Sequence, residues 1–96
     1  MTERTRRQEI QEMLAGAEHD FEELRQILAL PVAVLEEDLR HLQRSLERSP
    51  QRLRAQPARC PQCDFRFRLR PGRFATPGRC PQCRNQRLQP VRLRVG

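Results

Sequence analysis

The chain has 96 residues, enough for one compact domain or two very small ones. Only 36% of the residues are hydrophobic and neither Trp nor Tyr occurs, so the core is thin. The net charge is +7 and no apolar run approaches the roughly 20 residues of a membrane span. Residues 1–7 also lack the apolar run of a signal peptide. We therefore expect a soluble, cytoplasmic protein that contacts no membrane.

Three amphipathic helices are predicted in the first half of the chain. The first covers residues 5–15, the second begins after Asp20 as N-cap and ends near Ala29, and the third runs from Val32 to about Glu47. Their apolar stripes are Ile10, Met13 and Leu14; Phe21, Leu24, Ile27 and Leu28; and Leu35, Leu39, Leu42 and Leu46. A tight turn at Leu30-Pro31 makes this order typical of a helix-turn-helix, although generic three-helix bundles share it.

Two segments after the helices alternate basic and apolar residues, as half-buried strands do. They are residues 52–56 and 91–95, and we expect them to pair antiparallel as a wing. Residues 65–70 alternate in the same way and predict a further strand, with Phe65, Phe67 and Leu69 on one face. All four cysteines lie between the two wing strands, so the wing tip is replaced by a cysteine module.

The cysteines form two copies of Cys-Pro-Gln-Cys. Cys60 and Cys63 are followed after sixteen residues by Cys80 and Cys83, a spacing typical of a four-thiolate zinc site. Four thiolates fill a tetrahedron and leave no open position, so we expect one structural Zn²⁺. Rubredoxin-like iron and redox-active cysteines are the alternatives, although rubredoxins carry Gly where this chain has Asp64 and Arg84. Two disulfides would need an oxidising compartment.

Charge is divided unevenly between the two halves. Residues 1–50 contain seven Arg and eleven acidic residues, whereas residues 51–96 contain twelve Arg and a single acid, Asp64. Such a basic half is typical of a surface that binds nucleic acid. The candidate contacts are Arg52, Arg54, Arg66, Arg68, Arg70, Arg73, Arg92 and Arg94, with Arg40 and Arg44 reaching the backbone from the third helix.

The chain resembles a family of small prokaryotic predicted transcriptional regulators, in which a winged helix-turn-helix is fused to a zinc ribbon. The resemblance is carried by residues 5–10, 21–24, 34–42, 56–60 and 65–69. It implies an α+β fold with a winged helix-turn-helix domain over residues 1–57. Residues 58–96 are then the zinc ribbon, inserted at or following the wing, with a returning wing strand at about 90–95. Duplex DNA is the partner that the resemblance implies.

The third helix fits this role poorly at its start. Val32, Ala33 and Val34 read little of a base edge, and Glu36 and Glu37 would repel phosphates. Two alternatives therefore stay open. One is a module that docks on a protein such as the transcription machinery; the other is an RNA-binding ribbon in which Phe74 stacks on a base. A homodimer through the apolar edge of the third helix is also open.

Catalysis is not expected from this sequence. It shows no nucleophile–base pair, no Gly-rich phosphate loop and no carboxylate pair in a basic pocket. We expect His41 to be exposed and His19 to make a local polar contact.

Overall fold

The computed structural model describes residues 5–96. Residues 1–4 belong to the segment that we expect to lack a signal peptide, and they lie outside the described residues. It is an α+β fold with three helices and one three-stranded antiparallel sheet. In chain order the elements are α1 (Arg6–Gly16), β1 (His19–Asp20), α2 (Phe21–Leu28), α3 (Val32–Ser45), a 3-10 turn (Leu46–Arg48), β2 (Leu53–Gln56) and β3 (Arg92–Val95). Within the described residues no helix is long and apolar enough to cross a membrane.

The sheet has the order β1-β3-β2, so the last strand of the chain lies in its centre. The two alternating segments do pair antiparallel, with Leu53 opposite Val95 and Arg54 opposite Arg94. The third strand, β1, was not predicted because it has only two residues, His19 and Asp20. Residues 57–91, which hold all four cysteines, connect β2 to β3.

Local side-chain chemistry sets the helix ends. The Thr5 side chain accepts a hydrogen bond from the main-chain N–H of Gln8, and the main-chain N–H of Thr5 donates to the Gln8 side chain, forming a capping box. Asp20 accepts from the N–H of Glu23 at 2.7 Å and begins α2, as predicted. Ala29 ends α2 in the left-handed conformation, with φ 53° and ψ 48°, which Gly would adopt at lower cost.

One continuous core joins the helices, the sheet and the base of the cysteine module. Ile10, Leu14, Phe21, Leu24 and the leucines of α3 pack with Leu93 and Val95, and also with Ala58, Phe74 and Val91. The prediction for Ile27 was wrong, because this side chain is 57% exposed. At 100° per residue it lies off the helical face that Phe21, Leu24 and Leu28 share.

The predicted strand over residues 65–70 was also wrong. This segment forms only isolated bridges, Arg59 with Arg66 and Arg70 with Arg73. The exposure of the side chains still alternates as predicted up to Arg68, because Phe65 and Phe67 are half-buried whereas Arg66 and Arg68 are exposed. Leu69 breaks the alternation, since it is 39% exposed. A continuous ladder is lacking because the segment leads directly into the turn at Pro71 and Gly72, where Gly72 has φ 72°.

A buried carboxylate fixes α1 on α3. Asp38 is 1% exposed and accepts hydrogen bonds from the guanidinium groups of Arg6 and Arg7. Burial raises the pKa of this carboxyl, but the bonds from Arg6 and Arg7 outweigh burial and hold the pKa below its ordinary value. The Asp38 carboxylate therefore has a structural role, holding α1 against α3.

We predict that Asp38→Asn lowers the free energy of unfolding at pH 7 by about 2 kcal/mol, because charge-assisted hydrogen bonds are lost. Since the folded pKa is depressed, the stabilisation is present above the unfolded pKa of about 3.9 and is lost as pH falls through the folded pKa. Urea unfolding of the unmodified protein and of the variant, at pH 7 and at about pH 3, measures the loss of stability and its dependence on pH. Glu37→Gln, one residue away on an exposed side chain, is the control. An equal loss at both pH values would contradict the assignment.

Candidate metal centre

Each Cys-Pro-Gln-Cys copy forms the same tight turn. The N–H of Asp64 donates to the carbonyl of Cys60 at 2.9 Å, and the N–H of Arg84 donates to that of Cys80 at the same distance. The return bonds match as well, from Cys60 N–H to the Phe65 carbonyl and from Cys80 N–H to the Asn85 carbonyl, each 2.9 Å. The two copies therefore form matching turns, which we call knuckles, and these face each other, as the repeated tetrapeptide predicts.

The residue after each second cysteine is in the left-handed conformation. Asp64 and Arg84 both have φ 63°. This conformation favours Gly and is tolerated by Asp, but it is strained for Arg. The Gly that rubredoxins carry at these places therefore serves a backbone requirement, and its absence here does not distinguish between metals.

The four sulfurs lie within 4.8 Å of one another, and all four cysteines are free thiols. The Sγ atoms of Cys60 and Cys83 are 3.4 Å apart, and those of Cys63 and Cys80 are 3.5 Å apart. A tetrahedral ion with bonds of about 2.3 Å places its sulfurs about 3.8 Å apart. The donor set thus fits one metal ion, and the predicted ligands Cys60, Cys63, Cys80 and Cys83 do converge.

Ionisation of the thiols is uneven. Burial raises the pKa of Cys60, but the main-chain N–H groups of Cys63 and Gln62 outweigh it and lower the pKa to about 6. Burial raises the pKa of Cys63 to about 12, with a further contribution from the neighbouring thiols. Burial raises the pKa of Cys80, but the main-chain N–H groups of Cys83 and Gln82 and the adjacent thiols outweigh it and lower the pKa. The main-chain N–H of Asn85 lowers the pKa of Cys83, but burial and the thiols of Cys60 and Cys80 outweigh it and raise the pKa. A cation is therefore needed before all four sulfurs ionise together.

Asn85 was missed by the sequence analysis. Its side-chain nitrogen lies 3.8 Å from the Sγ of Cys60 and also donates to the carbonyl of Arg87 at 3.2 Å. Its side-chain oxygen accepts from the N–H of Arg87 at 3.1 Å, which fixes the amide. A donor held against a thiolate stabilises its charge. The position directly follows the knuckle, but sequence alone does not distinguish it from an ordinary turn asparagine.

The cysteine module is tied to α3 by two side chains. The buried carboxylate of Glu36 accepts hydrogen bonds from the N–H groups of Phe74 at 2.9 Å and Ala75 at 3.3 Å. Arg40 donates to the carbonyl of Gly72 at 3.0 Å. Glu36, which we expected to repel phosphates, is therefore buried instead and bonds main-chain donors of the loop between the knuckles. Phe74 is 5% exposed and packs in the core, so it offers no face for stacking a base.

The predicted basic residues occupy three places. Arg52, Arg54, Arg92 and Arg94 lie in or beside strands β2 and β3, where Arg54 directly opposes Arg94. Exposed arginines of the cysteine module are Arg66, Arg68, Arg70 and Arg73. Arg44 is exposed near the end of α3, whereas Arg40 is half-buried at the junction just described.

His41 is half-buried near Glu37, and His19 bonds Glu23 at 2.6 Å, the local contact that was expected.

No protein-family model matches the chain, and no curated protein matches it. Among solved structures, the solution NMR structure of protein PF0610 from Pyrococcus furiosus is similar, with 27% sequence identity and a TM-score of 0.73. The similarity covers 95% of this chain and 88% of that one. The two proteins therefore share a fold over nearly their whole lengths.

We predict that Arg84→Gly stabilises the metal-loaded protein by about 1 kcal/mol, because Gly removes the penalty of the left-handed conformation. Denaturant unfolding of the loaded protein measures the gain. Arg87→Gly is the control: it removes an equal charge from an exposed residue that has no positive φ, and it should be neutral or slightly destabilising. Equal effects of the two substitutions would contradict the explanation.

Proposed function

We propose that this protein is a DNA-binding transcriptional regulator, in which a winged helix-turn-helix carries a structural zinc ribbon. The observation that carries the proposal is the set of arginines without acidic partners. Of the twelve arginines in residues 51–96, only Arg59, Arg73 and Arg92 pair with a carboxylate among the described residues. The other nine guanidinium groups have no carboxylate partner within residues 5–96, as expected of a surface that binds phosphates.

The sheet concentrates this charge. Arg54 and Arg94 are exposed and directly opposite each other, an arrangement of like charges that is unfavourable without an anion. Within the described residues the Arg54 side chain donates to the main-chain oxygen of Gly96. A phosphate between the two strands would relieve the repulsion, so we place backbone contacts at this pair.

The order of elements supports the winged helix-turn-helix part of the proposal. A helix, a short strand, two helices and two paired strands follow one another, and β1 joins the sheet beside β3. Between α2 and α3, Ala29 takes the left-handed conformation at the place where helix-turn-helix proteins usually carry Gly. Pro31 precedes α3 without a side-chain cap, and Pro is tolerated near helix starts.

The acidic start of α3 is less of an obstacle than its sequence suggests. Glu36 and Asp38 are both buried and bonded within the protein, so they present no charge to a ligand. Glu37 is the acid that stays exposed in this stretch. The exposed α3 side chains still offer few groups that read bases, so we assign DNA contact mainly to the sheet and ribbon arginines, with Arg44 reaching the backbone.

Zinc is the metal we assign to the four-cysteine site. Zinc and iron both accept four thiolates in a tetrahedron, and soft thiolate ligands suit each of them. A closed Cys₄ site with this ligand spacing is typical of structural zinc. When bound, the ion would supply a cross-link between the knuckles, and it leaves no position for a substrate. Metal analysis of purified protein distinguishes zinc from iron.

We predict that complete removal of the metal by a chelator selectively unfolds residues 58–90. Their apolar side chains are few, and four ionisable sulfurs would lose the cation that holds them together. Hydrogen exchange resolved along the chain should show lost protection there, while α1 and α3 keep theirs. Unchanged exchange and circular dichroism after metal removal would contradict a structural role.

We predict that affinity for duplex DNA falls with salt, with a log–log slope of about −3.6 for four phosphate contacts. The double variant Arg54→Gln, Arg94→Gln should make the slope shallower by about 1.8, because two contacts are lost. Arg25→Gln is the matched control, since this arginine is already paired with Glu22 on α2. Fluorescence anisotropy across a salt series measures the slopes. A slope near zero in the unmodified protein would contradict DNA binding.

A further inference from the structure

An open groove of about 1130 Å³ runs between the first turn of α3 and the cysteine module. We call it the ribbon groove. Val32 and Glu36 contribute from α3, and residues 65–70 are the longest continuous segment of the facing wall. None of the contacts described above for the sheet arginines Arg54 and Arg94 involves this groove, so its function is a separate question.

The floor of the ribbon groove is apolar and accessible. Val32 is 38% exposed and Leu69 is 39% exposed, and they are two of the three large apolar side chains that the described residues expose most. Phe65 and Phe67 lie beside them, with ring centroids 5.0 Å apart in an edge-on arrangement. The third exposed side chain, Ile27, lies on α2 outside the groove. Apolar side chains gathered in one groove indicate a binding site more strongly than scattered ones do.

The rim of the groove is strongly basic. Five arginines line it: Arg66, Arg68, Arg70, Arg73 and Arg79. Among the described residues only Arg73 has an acidic partner, Glu36 at 3.9 Å. That carboxylate already accepts from the N–H groups of Phe74 and Ala75. The rim therefore favours a ligand that brings its own negative charge.

The wall of the groove also has main-chain groups that bond to no other main-chain group in the described part of the chain. Phe65 and Phe67 bond on one side, to the main chain of Cys60 and Ala58. The main-chain groups of Arg66 and Arg68 bond to no main-chain group of residues 5–96. An extended segment with one free edge can accept a strand from another chain.

We propose that the ribbon groove binds an extended acidic segment of a partner protein. Apolar side chains of that segment would contact Val32 and Leu69, and its carboxylates would pair with the arginines of the rim. Duplex DNA does not suit this groove, because a sugar–phosphate backbone would cover an apolar floor with charge. The proposed DNA contacts at Arg54 and Arg94 lie outside this groove, whereas the rim arginines are shared between the two proposals.

The test uses metal-loaded full-length protein and two labelled probe peptides of twelve residues. One alternates Asp with Leu; the other alternates Asp with Ser and so has the same charge. Fluorescence anisotropy should show the Leu peptide binding at least about ten-fold more tightly, a difference of about 1.4 kcal/mol. The double variant Val32→Ser, Leu69→Ser should lose that advantage and keep its affinity for duplex DNA within about two-fold. Ile27→Ser, at the exposed position outside the groove, should change neither.

Three outcomes would overturn the proposal. Equal binding of both peptides would reduce the groove to a non-specific positive surface. Tighter binding of a twelve-nucleotide single strand, lost in the Val32→Ser, Leu69→Ser variant, would assign the groove to nucleic acid. A dimer in sedimentation equilibrium that this variant abolishes would assign it to a second copy of the chain. Circular dichroism and metal content of each variant establish that a lost affinity does not come from unfolding.

Discussion

The buried carboxylate of Glu36 is the contact on which the relation between the two halves of the molecule depends. A charge out of water is costly unless it is fully hydrogen-bonded, and its main-chain donors are the N–H groups of Phe74 and Ala75. Both donors lie in the loop between Cys63 and Cys80, so the shape of this loop follows from where the two knuckles hold its ends. A metal ion held by the two knuckles would therefore also fix the loop that bonds Glu36, and its loss would take the two main-chain donors from this carboxylate.

Bonding of acidic side chains inside the fold also explains the charge distribution. The first half of the chain has more acids than arginines, but two acids on α3, Glu36 and Asp38, are buried and bonded inside the fold. Glu22 and Glu23 on α2 pair with Arg25 and His19. The second half has a single acid, Asp64, which pairs with Arg59. Bonds inside the fold therefore engage several acids of the helical half, and two of them, Glu18 and Glu36, reach Arg92 and Arg73 of the second half. Most other arginines of the second half have no acidic partner among the described residues.

Features that depend on short-range patterns could be predicted from the sequence. The cysteine spacing predicted the four converging sulfurs, the apolar stripes predicted three helices, and two alternating segments predicted the paired strands β2 and β3. The features that were missed depend on distant partners. β1 exists because β3 returns beside it, and Glu36 is buried because a loop almost forty residues later donates to it. Residues 65–70 have the alternation of a strand, but only residues 65–67 bond to a neighbouring segment, residues 58–60. Periodicity reports which face is apolar; it does not report whether a partner edge is present.

The two proposed binding surfaces depend on the metal to different degrees. Arg54 and Arg94 lie in a ladder that β2 and β3 form with each other, and β3 is held on its other side by β1. The wall of the ribbon groove instead begins two residues after Cys63, and its bonds to Ala58 and Cys60 belong to the first knuckle. The floor residue Val32 belongs to α3, whose seating against the wall depends on Glu36. On these proposals the sheet surface would persist while the groove is lost, and protein docking would depend on the metal more directly than contact with DNA would.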